Sequence, residues 1–288
     1  MSLWFVTSAH ADWQVTPVSS LQKLTAVAPG VLEPFKSDFR FLRATRGEWE
    51  NFQIVVQAGA QALPHIKVAV ANPNSSDNQS IGAENIQLYW ENYVYVPQPS
   101  GNRRLDKLWW PDALVPPALQ KDPSLAPYRT RVLWISVRVP LHADFRIYKD
   151  TISLSANGIT KNVPFVLSVE RVTYSAKEPL SQPTLRANVA VYYDVLREWY
   201  AKNVRTLNDA EFATLRKNYY DFLLDYRINA YDLPVDWKSD EAQKYLRDSR
   251  VLSIRTPPLE RADFNGALVA IKRANALNKA YYYWLDEA

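Results

Sequence analysis

The sequence predicts a multidomain β plus α/β fold, in which an antiparallel β-sandwich is followed by the first half of a (β/α)8 barrel. Three observations predict it. Apolar and polar residues alternate over 13–179, two prolines interrupt the chain within 175–183, and strand and helix patterns alternate from residue 185 onwards. We therefore predict a sandwich domain at 13–179 and a barrel-type domain at 180–288.

Apolar side chains recur at every second position in the first domain, which indicates strands with one buried face each. These residues are Phe52, Ile54, Val56, Leu133, Ile135, Val137, Val139, Ile152, Leu154, Ala156, Val163, Phe165, Leu167 and Val169. Asn157-Gly158 separates the last two runs, and both residues tolerate the positive φ of a type I′ turn. A β-hairpin is therefore predicted over 150–169, and several such strands predict an antiparallel sandwich.

In the second domain, strand and helix patterns alternate as in the βαβ units of a parallel sheet. Strands are predicted at 185–192, 228–233, 251–255 and 281–285. Four strands fit either an open α/β sheet or part of a barrel. A whole barrel needs roughly 200 residues or more, so a barrel here would be represented by its first half.

Three helices are predicted between these strands. The first covers 208–226, with Asn208 and Glu211 as its capping box. Spacings of three and four predict one apolar stripe on it, made of Phe212, Leu215, Tyr219, Phe222 and Tyr226. Shorter helices are predicted to begin at Ser239 and Asp263.

The composition excludes several classes of chemistry. The 288 residues contain no cysteine, three histidines and seven glycines, and the formal net charge is +4. Disulfides, thiolate metal sites and cysteine nucleophiles are thereby excluded, and no Gly-rich phosphate loop occurs. The widely separated histidines do not favour a zinc site or a Ser-His-Asp triad. We expect no cofactor, no metal, no nucleic-acid partner and no membrane span.

The first residues allow two interpretations. Apolar residues at 3–6 precede Ala9-x-Ala11, which fits a signal-peptidase site. This predicts that 1–12 is the remnant of a leader and that the protein is secreted, periplasmic or on the cell surface. A basic n-region is missing, so an ordinary disordered or strand-forming start is the alternative.

Asp286 and Glu287 are adjacent carboxylates at the end of the fourth predicted strand. Active sites of parallel α/β folds lie at that end of the strands. Aromatic residues come directly before the pair, among them Tyr283 and Trp284. Aromatic faces can stack on sugar rings, and apolar surroundings raise the pKa of a carboxyl group toward the range of a general acid. The alternative is that the pair is solvated charge.

Polar residues follow the earlier strands as well, and they could line the same cleft. They are Arg255, Asp232, Asp236, Tyr193 and Asp194. The predicted substrate-binding residues are Tyr283, Trp284, Arg255 and Asp232. For each of them, a loop or salt-bridge role is the alternative.

Several motifs resemble glycoside hydrolase family 123 and its relatives, in the order in which that family has them. They are G-E-W-E-N-F-Q-I-V-V at 47–56, P-D-A-L-V-P at 111–116, W-I-S-V-R-V-P at 134–140 followed by Y-K-D-T-I at 148–152, Y-D-F-L-L-D-Y-R-I at 220–228 and Y-W-L-D-E at 283–287. In the family, the second of these motifs is a loop, and the last ends a barrel strand.

The resemblance implies a retaining, substrate-assisted β-N-acetylhexosaminidase of the β-N-acetylgalactosaminidase type, with an N-acetylhexosamine-containing glycan as its substrate. It assigns Glu287 as general acid/base and Asp286 as the residue that orients the 2-acetamido group and stabilises the positively charged intermediate. In glycosidases with two carboxylates, one serves as nucleophile. Here the substrate's own carbonyl oxygen would attack, so one proton donor and one charge stabiliser side by side suffice.

The sequence departs from the family pattern in ways that affect the expected activity. Ala288 stands where a proline usually follows the Asp-Glu pair, Asp150 stands where a glycine is common, and four barrel strands are missing. We therefore expect a chain truncated after the fourth barrel strand and inactive by itself. The rival hypothesis is a non-catalytic, secreted glycan- or protein-binding sandwich protein with a degenerate barrel.

Overall fold

The computed structural model describes residues 13–71, 80–97, 108–171, 188–189, 191–226 and 228–283. The chain divides into two compact units, Met1–Thr173 and Tyr174–Ala288, and each is described by itself. The predicted leader remnant at 1–12 lies outside the described residues, and so does the proline-containing segment 175–183.

Two sheets form the described part of the first unit. Their strands are β1 Gln14–Ser19, β2 Ala26–Ala28, β3 Val31–Leu32, β4 Leu42–Ala44, β5 Trp49–Gln57, β6 Lys67–Ala71, β7 Ile86–Val96, β8 Leu108–Val115, β9 Thr130–Arg138, β10 Ile147–Ala156 and β11 Ile159–Val169. One sheet has the order β1-β5-β9-β7-β8-β2-β3, and the other has the order β4-β11-β10-β6. The pairing is antiparallel except between β4 and β11, in agreement with the predicted sandwich.

The inner faces of the two sheets share one apolar core. The Phe52 ring of β5 lies 5.1 Å from the Phe165 ring of β11 and 4.5 Å from the stacked Phe39 ring. Trp90 and Ile152 are fully buried in the same cluster. Because burying each large apolar side chain contributes about 1.5–3 kcal/mol, this inner layer is the main stabilising feature of the sandwich.

The predicted hairpin is confirmed. Strands β10 and β11 pair from Ile147 opposite Ser168 down to Ala156 opposite Ile159. Asn157 and Gly158 connect them with φ values of 51° and 72°. These positive values are the ones that a type I′ turn requires.

Strand β5 is buried on both faces, which corrects the prediction of one buried face. Gln53 and Val55 are each 1% exposed, like the inner-face residues beside them. Val55 packs with Val18 and Leu24, which come from the preceding segment. The Gln53 Nε2 donates to the carbonyl oxygens of Ser19 at 2.8 Å and of Gln22 at 2.9 Å. A local alternation pattern could not reveal that this second face is covered, because the covering residues are more than thirty positions away in the sequence.

The motif at 111–116, expected as a loop, lies mostly in strand β8. That strand pairs with β7, and the register shifts between Glu91 and Tyr93. On its other side β8 pairs with β2 only at Trp109 opposite Ala26. Pro111 lies opposite Tyr93 beside this register shift, and such an irregularity in the ladder tolerates a residue without an N–H.

Short parallel strands and four helices form the described part of the second unit. The strands are β12 Asn188–Val189, β13 Asn229–Ala230, β14 Ile254–Arg255 and β15 Ala280–Tyr281; the helices are α1 Tyr193–Asn203, α2 Asp209–Asp225, α3 Asp240–Arg247 and α4 Phe264–Arg273. Strands β12 and β13 pair in parallel, as do β14 and β15. The Arg255 N–H donates to the Tyr231 carbonyl oxygen at 3.1 Å and joins the two pairs.

Helix α1 was not predicted from the sequence. Tyr193, Leu196 and Tyr200, spaced three and four apart, pack with Leu207 and Phe212. Val195 and Trp199 are apolar but exposed, so the sequence over 193–203 does not separate one apolar face from a polar one.

The capping box of α2 is confirmed, but its apolar stripe is partly wrong. The Asn208 Oδ1 accepts from the Glu211 N–H at 2.9 Å, and Glu211 Oε2 accepts from the Asn208 N–H at 3.0 Å. The exposed members of the predicted stripe are Tyr219, Phe222 and Tyr226. Instead, Tyr220 and Leu224 pack in the core with Ala230 of β13 and Leu246 of α3. Both sets have helical spacing, and packing against the rest of the unit selects the second.

The two shorter helices begin where the sequence predicted, although only one has the expected cap. The Ser239 Oγ accepts from the Ala242 N–H at 3.1 Å and caps α3. Asp263 precedes α4, but its side chain makes no capping bond. Its carboxylate accepts from the Arg261 guanidinium at 2.8 and 3.1 Å instead, because that local charged donor competes with the helix amides.

Candidate active site

A pocket of about 780 Å³ lies where β12, β13 and β14 run into their following loops. Ligands of parallel α/β sheets bind at this end of the strands. The polar and aromatic lining residues are Tyr192, Tyr193, Asp194, Arg216, Asp232, Asp236, Trp237, Lys238, Arg261 and Asp263. All of them belong to the second unit, so its described part forms this pocket by itself.

Two of the predicted substrate-binding residues form an ion pair, of which Asp232 lines this pocket. The Arg255 Nη2 donates to both carboxylate oxygens of Asp232, at 2.9 and 2.8 Å, and Arg255 Nε lies 3.3 Å from Oδ1. Strand β14 ends at Arg255, and Asp232 comes two residues after the end of β13. The pairing of adjacent strand ends therefore brings these residues together, and the bidentate geometry fixes the carboxylate orientation.

An aromatic cluster continues from this ion pair. The Arg255 guanidinium lies 5.0 Å from the Tyr231 ring, in a cation–π arrangement. The Tyr231 ring lies 6.1 Å from the ring of Tyr283 and 6.5 Å from that of Tyr281. Three predicted residues, Arg255, Asp232 and Tyr283, are thus connected through Tyr231.

Tyr193 is another residue that lines the pocket, and its hydroxyl is buried. It is 8% exposed, and its hydroxyl has no hydrogen-bond partner among the described residues. Burial raises the pKa of Tyr193 to about 12; the Arg216 charge opposes this rise and the Asp232 charge adds to it, so Tyr193 stays a neutral donor at physiological pH. The Arg216 guanidinium lies 4.7 Å from its ring and donates to the Leu233 carbonyl oxygen at 3.3 Å, which holds both side chains in place.

Two of the carboxylates that line the pocket accept hydrogen bonds, one from a local backbone N–H and one from a neighbouring arginine. The Asp236 carboxylate accepts from the Lys238 N–H at 2.7 Å, within the turn before α3. Asp263 is paired with Arg261, as described above. Asp194 differs, because it is exposed in the first turn of α1 and no described residue binds it. Its negative charge is favourable there at the helix N-terminus.

The predicted catalytic residues, Asp286 and Glu287, lie outside the described residues, as does Trp284. The sequence analysis missed Tyr231, Arg216 and Trp237. Tyr231 could have been found by its position between a strand and Asp232. Arg216 could not, because nothing in a helical pattern distinguishes an arginine that turns toward a pocket from one in solvent.

The described residues contain no group of three or more His, Cys, Asp or Glu side chains that could hold a metal ion. Within the same residues, no helix is both long and apolar enough to cross a membrane.

Residues 35–156 match the family model of the glycoside hydrolase 123 N-terminal domain. Among solved structures, the chain is similar to a family 123 glycoside hydrolase from Clostridium perfringens, for which glycolipid glycan hydrolysis is described. The TM-score is 0.53 at 16% identity, over 83% of this chain and 41% of that one. The chain therefore spans about two fifths of the length of that enzyme. The predicted resemblance to family 123 is confirmed. At 16% identity, the structural similarity is evidence for the fold alone.

Two further solved structures are similar at lower scores. AvmM, which catalyses macrocyclization in alchivemycin A biosynthesis, has a TM-score of 0.31 at 8% identity, over 58% of this chain and 93% of that one. The sporulation control protein Spo0M from Bacillus subtilis has a TM-score of 0.26 at 12% identity, over 55% of this chain and 50% of that one. These two likenesses carry no argument about fold or function. None of the curated proteins matches the sequence.

Proposed function

We propose, from the similarity of residues 35–156 to the family 123 N-terminal domain, that this chain is the sandwich and part of the catalytic domain of a glycoside hydrolase. The observation that carries the proposal is the pocket of about 780 Å³ at the carboxyl ends of parallel strands. A sugar ring offers hydroxyls to carboxylates and apolar C–H faces to aromatic rings, and this pocket presents both kinds of side chain.

The second unit would then be the first half of a (β/α)8 barrel. Its strands occur in chain order and pair in parallel, β12 with β13 and β14 with β15. The backbone hydrogen bond from Arg255 to Tyr231 continues this order between the two pairs. Parallel strands that neighbour each other in chain order, with helices between them, are what barrel closure requires.

The reaction we propose is substrate-assisted hydrolysis of a β-linked N-acetylhexosamine, with Glu287 and Asp286 as its two carboxyl groups. Glu287 donates its proton to the glycosidic oxygen while the carbonyl oxygen of the substrate's acetamido group attacks the anomeric carbon. The bond between the anomeric carbon and the glycosidic oxygen breaks, and the leaving group departs as a neutral alcohol. Asp286 stays ionised and stabilises the positively charged ring that forms. The Glu287 carboxylate then takes a proton from the water that opens this ring.

Arg255, Asp232 and the aromatic residues position the substrate in this proposal. The bidentate ion pair would form a rigid wall, with one edge of the Asp232 carboxylate open to sugar hydroxyls. Tyr283, together with Trp284, would stack on the sugar face. Tyr193 would donate its hydroxyl proton as a neutral group.

The test measures hydrolysis of a chromogenic β-N-acetylgalactosaminide by the protein as its gene encodes it. Glu287→Gln should lower kcat by about 10²–10⁴-fold, as removal of a general acid does. Glu198→Gln is the matched control, since Glu198 is exposed on α1 and is not among the residues that line the pocket. Equal rates for the Glu287 variant and the wild type would remove Glu287 from the mechanism.

Glycan binding without hydrolysis is the second candidate, and one observation favours it. Asp232, Asp236 and Asp263 are each held by a neighbouring donor, so these carboxylates are arranged to bind rather than to exchange protons. Saturable binding of an N-acetylhexosamine by an inactive wild-type protein would establish this role. For either function we propose an exported protein, which fractionation of the producing cells would test.

A further inference from the structure

A second cavity, of about 320 Å³, lies on the outer face of the seven-stranded sheet in the sandwich unit. Its walls come from β2, β3, β7, β8 and β9. The side chains that the argument uses are Glu91, Tyr93, Trp109, Arg129 and Arg131. The proposed glycosidase pocket shares none of its residues, so an inference about this cavity does not depend on the proposed function.

Glu91 is a buried carboxyl group in this cavity wall. It is 4% exposed. Among the described residues, its hydrogen-bond partner is the Tyr93 hydroxyl at 3.4 Å, and no lysine or arginine lies within ion-pair distance. The same hydroxyl donates to the Leu24 carbonyl oxygen at the much shorter distance of 2.7 Å. One hydroxyl proton cannot serve both acceptors well, so Glu91 is left without a strong donor.

Burial in these surroundings disfavours the charged carboxylate. It raises the pKa of Glu91 to about 7, and the long hydrogen bond from Tyr93 opposes this rise. The neighbouring residues on this face, such as Val55 and Val132, are apolar and buried. An apolar side chain at position 91 would pack there without the cost of burying a carboxyl group. Among the described residues the carboxyl therefore has no cationic partner, and the cavity beside it leaves room for a cation that a ligand supplies.

The two arginines of the cavity do not supply that second half. The Arg131 guanidinium lies 4.9 Å from the Trp90 ring on the inner face of the sheet, and it donates to the Asp122 carbonyl oxygen at 3.1 Å. Arg129 is exposed, and neither arginine lowers the pKa of Glu91.

The aromatic walls favour one kind of cation. Tyr93 and Trp109 line the cavity, and the Trp109 ring is held at 5.4 Å from the Tyr95 ring. Aromatic rings around a carboxylate are the usual environment for quaternary and alkyl ammonium groups, which are weakly hydrated and attracted to ring faces. A metal ion is disfavoured, because it needs several oxygen ligands and Glu91 offers one carboxylate.

We propose that this cavity binds a small organic ammonium ion, whose charge pairs with the Glu91 carboxylate and whose alkyl groups pack against Tyr93 and Trp109. The cavity volume of about 320 Å³ matches the lower range of small-ligand pockets. The ligand is thus a compact cation with a few carbon atoms rather than an oligosaccharide.

The experiment compares choline with 3,3-dimethylbutan-1-ol, its neutral isostere, by calorimetric titration of the full chain. We expect choline to bind saturably and at least about tenfold more tightly than the alcohol, because only choline carries the charge. Glu91→Gln should weaken choline binding by at least about tenfold. Asp112→Asn is the matched control: it removes one negative charge from β8 at an exposed position outside the cavity and should leave the affinity unchanged.

Three results would overturn the proposal: no saturable binding of choline, equal affinity for its neutral isostere, or unchanged choline affinity in Glu91→Gln. If that variant does not fold, Trp109→Leu replaces it. Weaker choline binding by the leucine variant would then support the site, and unchanged binding would refute it.

Discussion

The two units of this chain are stabilised in different ways. In the sandwich, β5 pairs with β9 over nine residue positions, and the inner faces of the sheets share an apolar core. In the second unit, each described strand has two residues, and side chains supply hydrogen bonds that longer strands would make with their backbones. The sandwich thus depends on packing and on long strand ladders, whereas the second unit combines its own apolar core with individual polar residues that connect short strands.

Asn229 shows this dependence most clearly. It is 2% exposed in β13. Its Oδ1 accepts from the N–H groups of Leu252 at 2.6 Å and of Ser253 at 2.9 Å, and its Nδ2 donates to the Arg250 carbonyl oxygen at 3.0 Å. One side chain thus connects β13 to the segment before β14, where no ladder is formed. A similar role falls to Lys279, whose ammonium group donates to the carbonyl oxygens of Leu246 and Asp248 at the end of α3.

Phe52→Ala should have the largest effect on the sandwich. Removing this fully buried ring creates a cavity between the sheets and should lower the free energy of unfolding by about 4 kcal/mol. Hydrogen exchange should accelerate at the amides of β5, β9 and β11 and much less in α3 and α4. Equal acceleration in both units would contradict the idea that their stabilities have separate origins.

Glu91 gives the sandwich a pH dependence of its own. Its pKa is raised from 4.5 to about 7, so the folded state binds this proton more tightly than the unfolded state. The stabilisation is complete below about pH 4.5 and is lost as the pH rises to about 7, a change of about 3 kcal/mol. Glu91→Gln should remove this contribution and be the more stable protein at pH 8, as measured by urea unfolding at a series of pH values. A pH profile identical to that of the wild type would show that the carboxyl is not desolvated.

Asn229→Ala should destabilise the second unit by about 2–3 kcal/mol, because it leaves two backbone N–H groups and one carbonyl without their partner. Asn218→Ala, at an exposed position on α2, is the matched control and should change little. Amide exchange at Leu252 and Ser253 reports the effect directly. Slow exchange at these amides in the Asn229 variant would mean that the backbone finds other partners.

Asn208→Ala should have the smallest effect, about 1 kcal/mol, since it removes one cap from α2. Asn208→Asp keeps an acceptor at the same place and should retain most of the stability. The helical circular dichroism signal during thermal unfolding would measure both variants. Equal losses in the two would show that the capping oxygen is unimportant.

The parts of the fold that could be predicted are those with local causes. The hairpin turn at Asn157-Gly158 and the cap at Asn208 depend on residues within a few positions of each other, and both are confirmed. The buried outer face at Val55 and the selection of Tyr220 over Tyr219 depend on segments that are distant in sequence. No periodic pattern contains that information.

The residues of the candidate site also divide into those that the sequence could predict and those that it could not. Asp232 and Arg255 could be placed near each other because both come at the ends of predicted parallel strands. Their bidentate ion pair, and the Tyr231 ring against it, depend on the register between β13 and β14. Arg216 reaches the pocket from a helix whose orientation only tertiary packing determines.

Arg255 has two tasks in one residue. Its backbone N–H joins the two strand pairs of the second unit, and its guanidinium orients the Asp232 carboxylate at the pocket wall. The backbone bond needs only a residue other than proline at position 255, whereas the orientation of Asp232 needs the guanidinium. The pocket wall can therefore change its chemistry here without loss of the hydrogen bond that connects the strands.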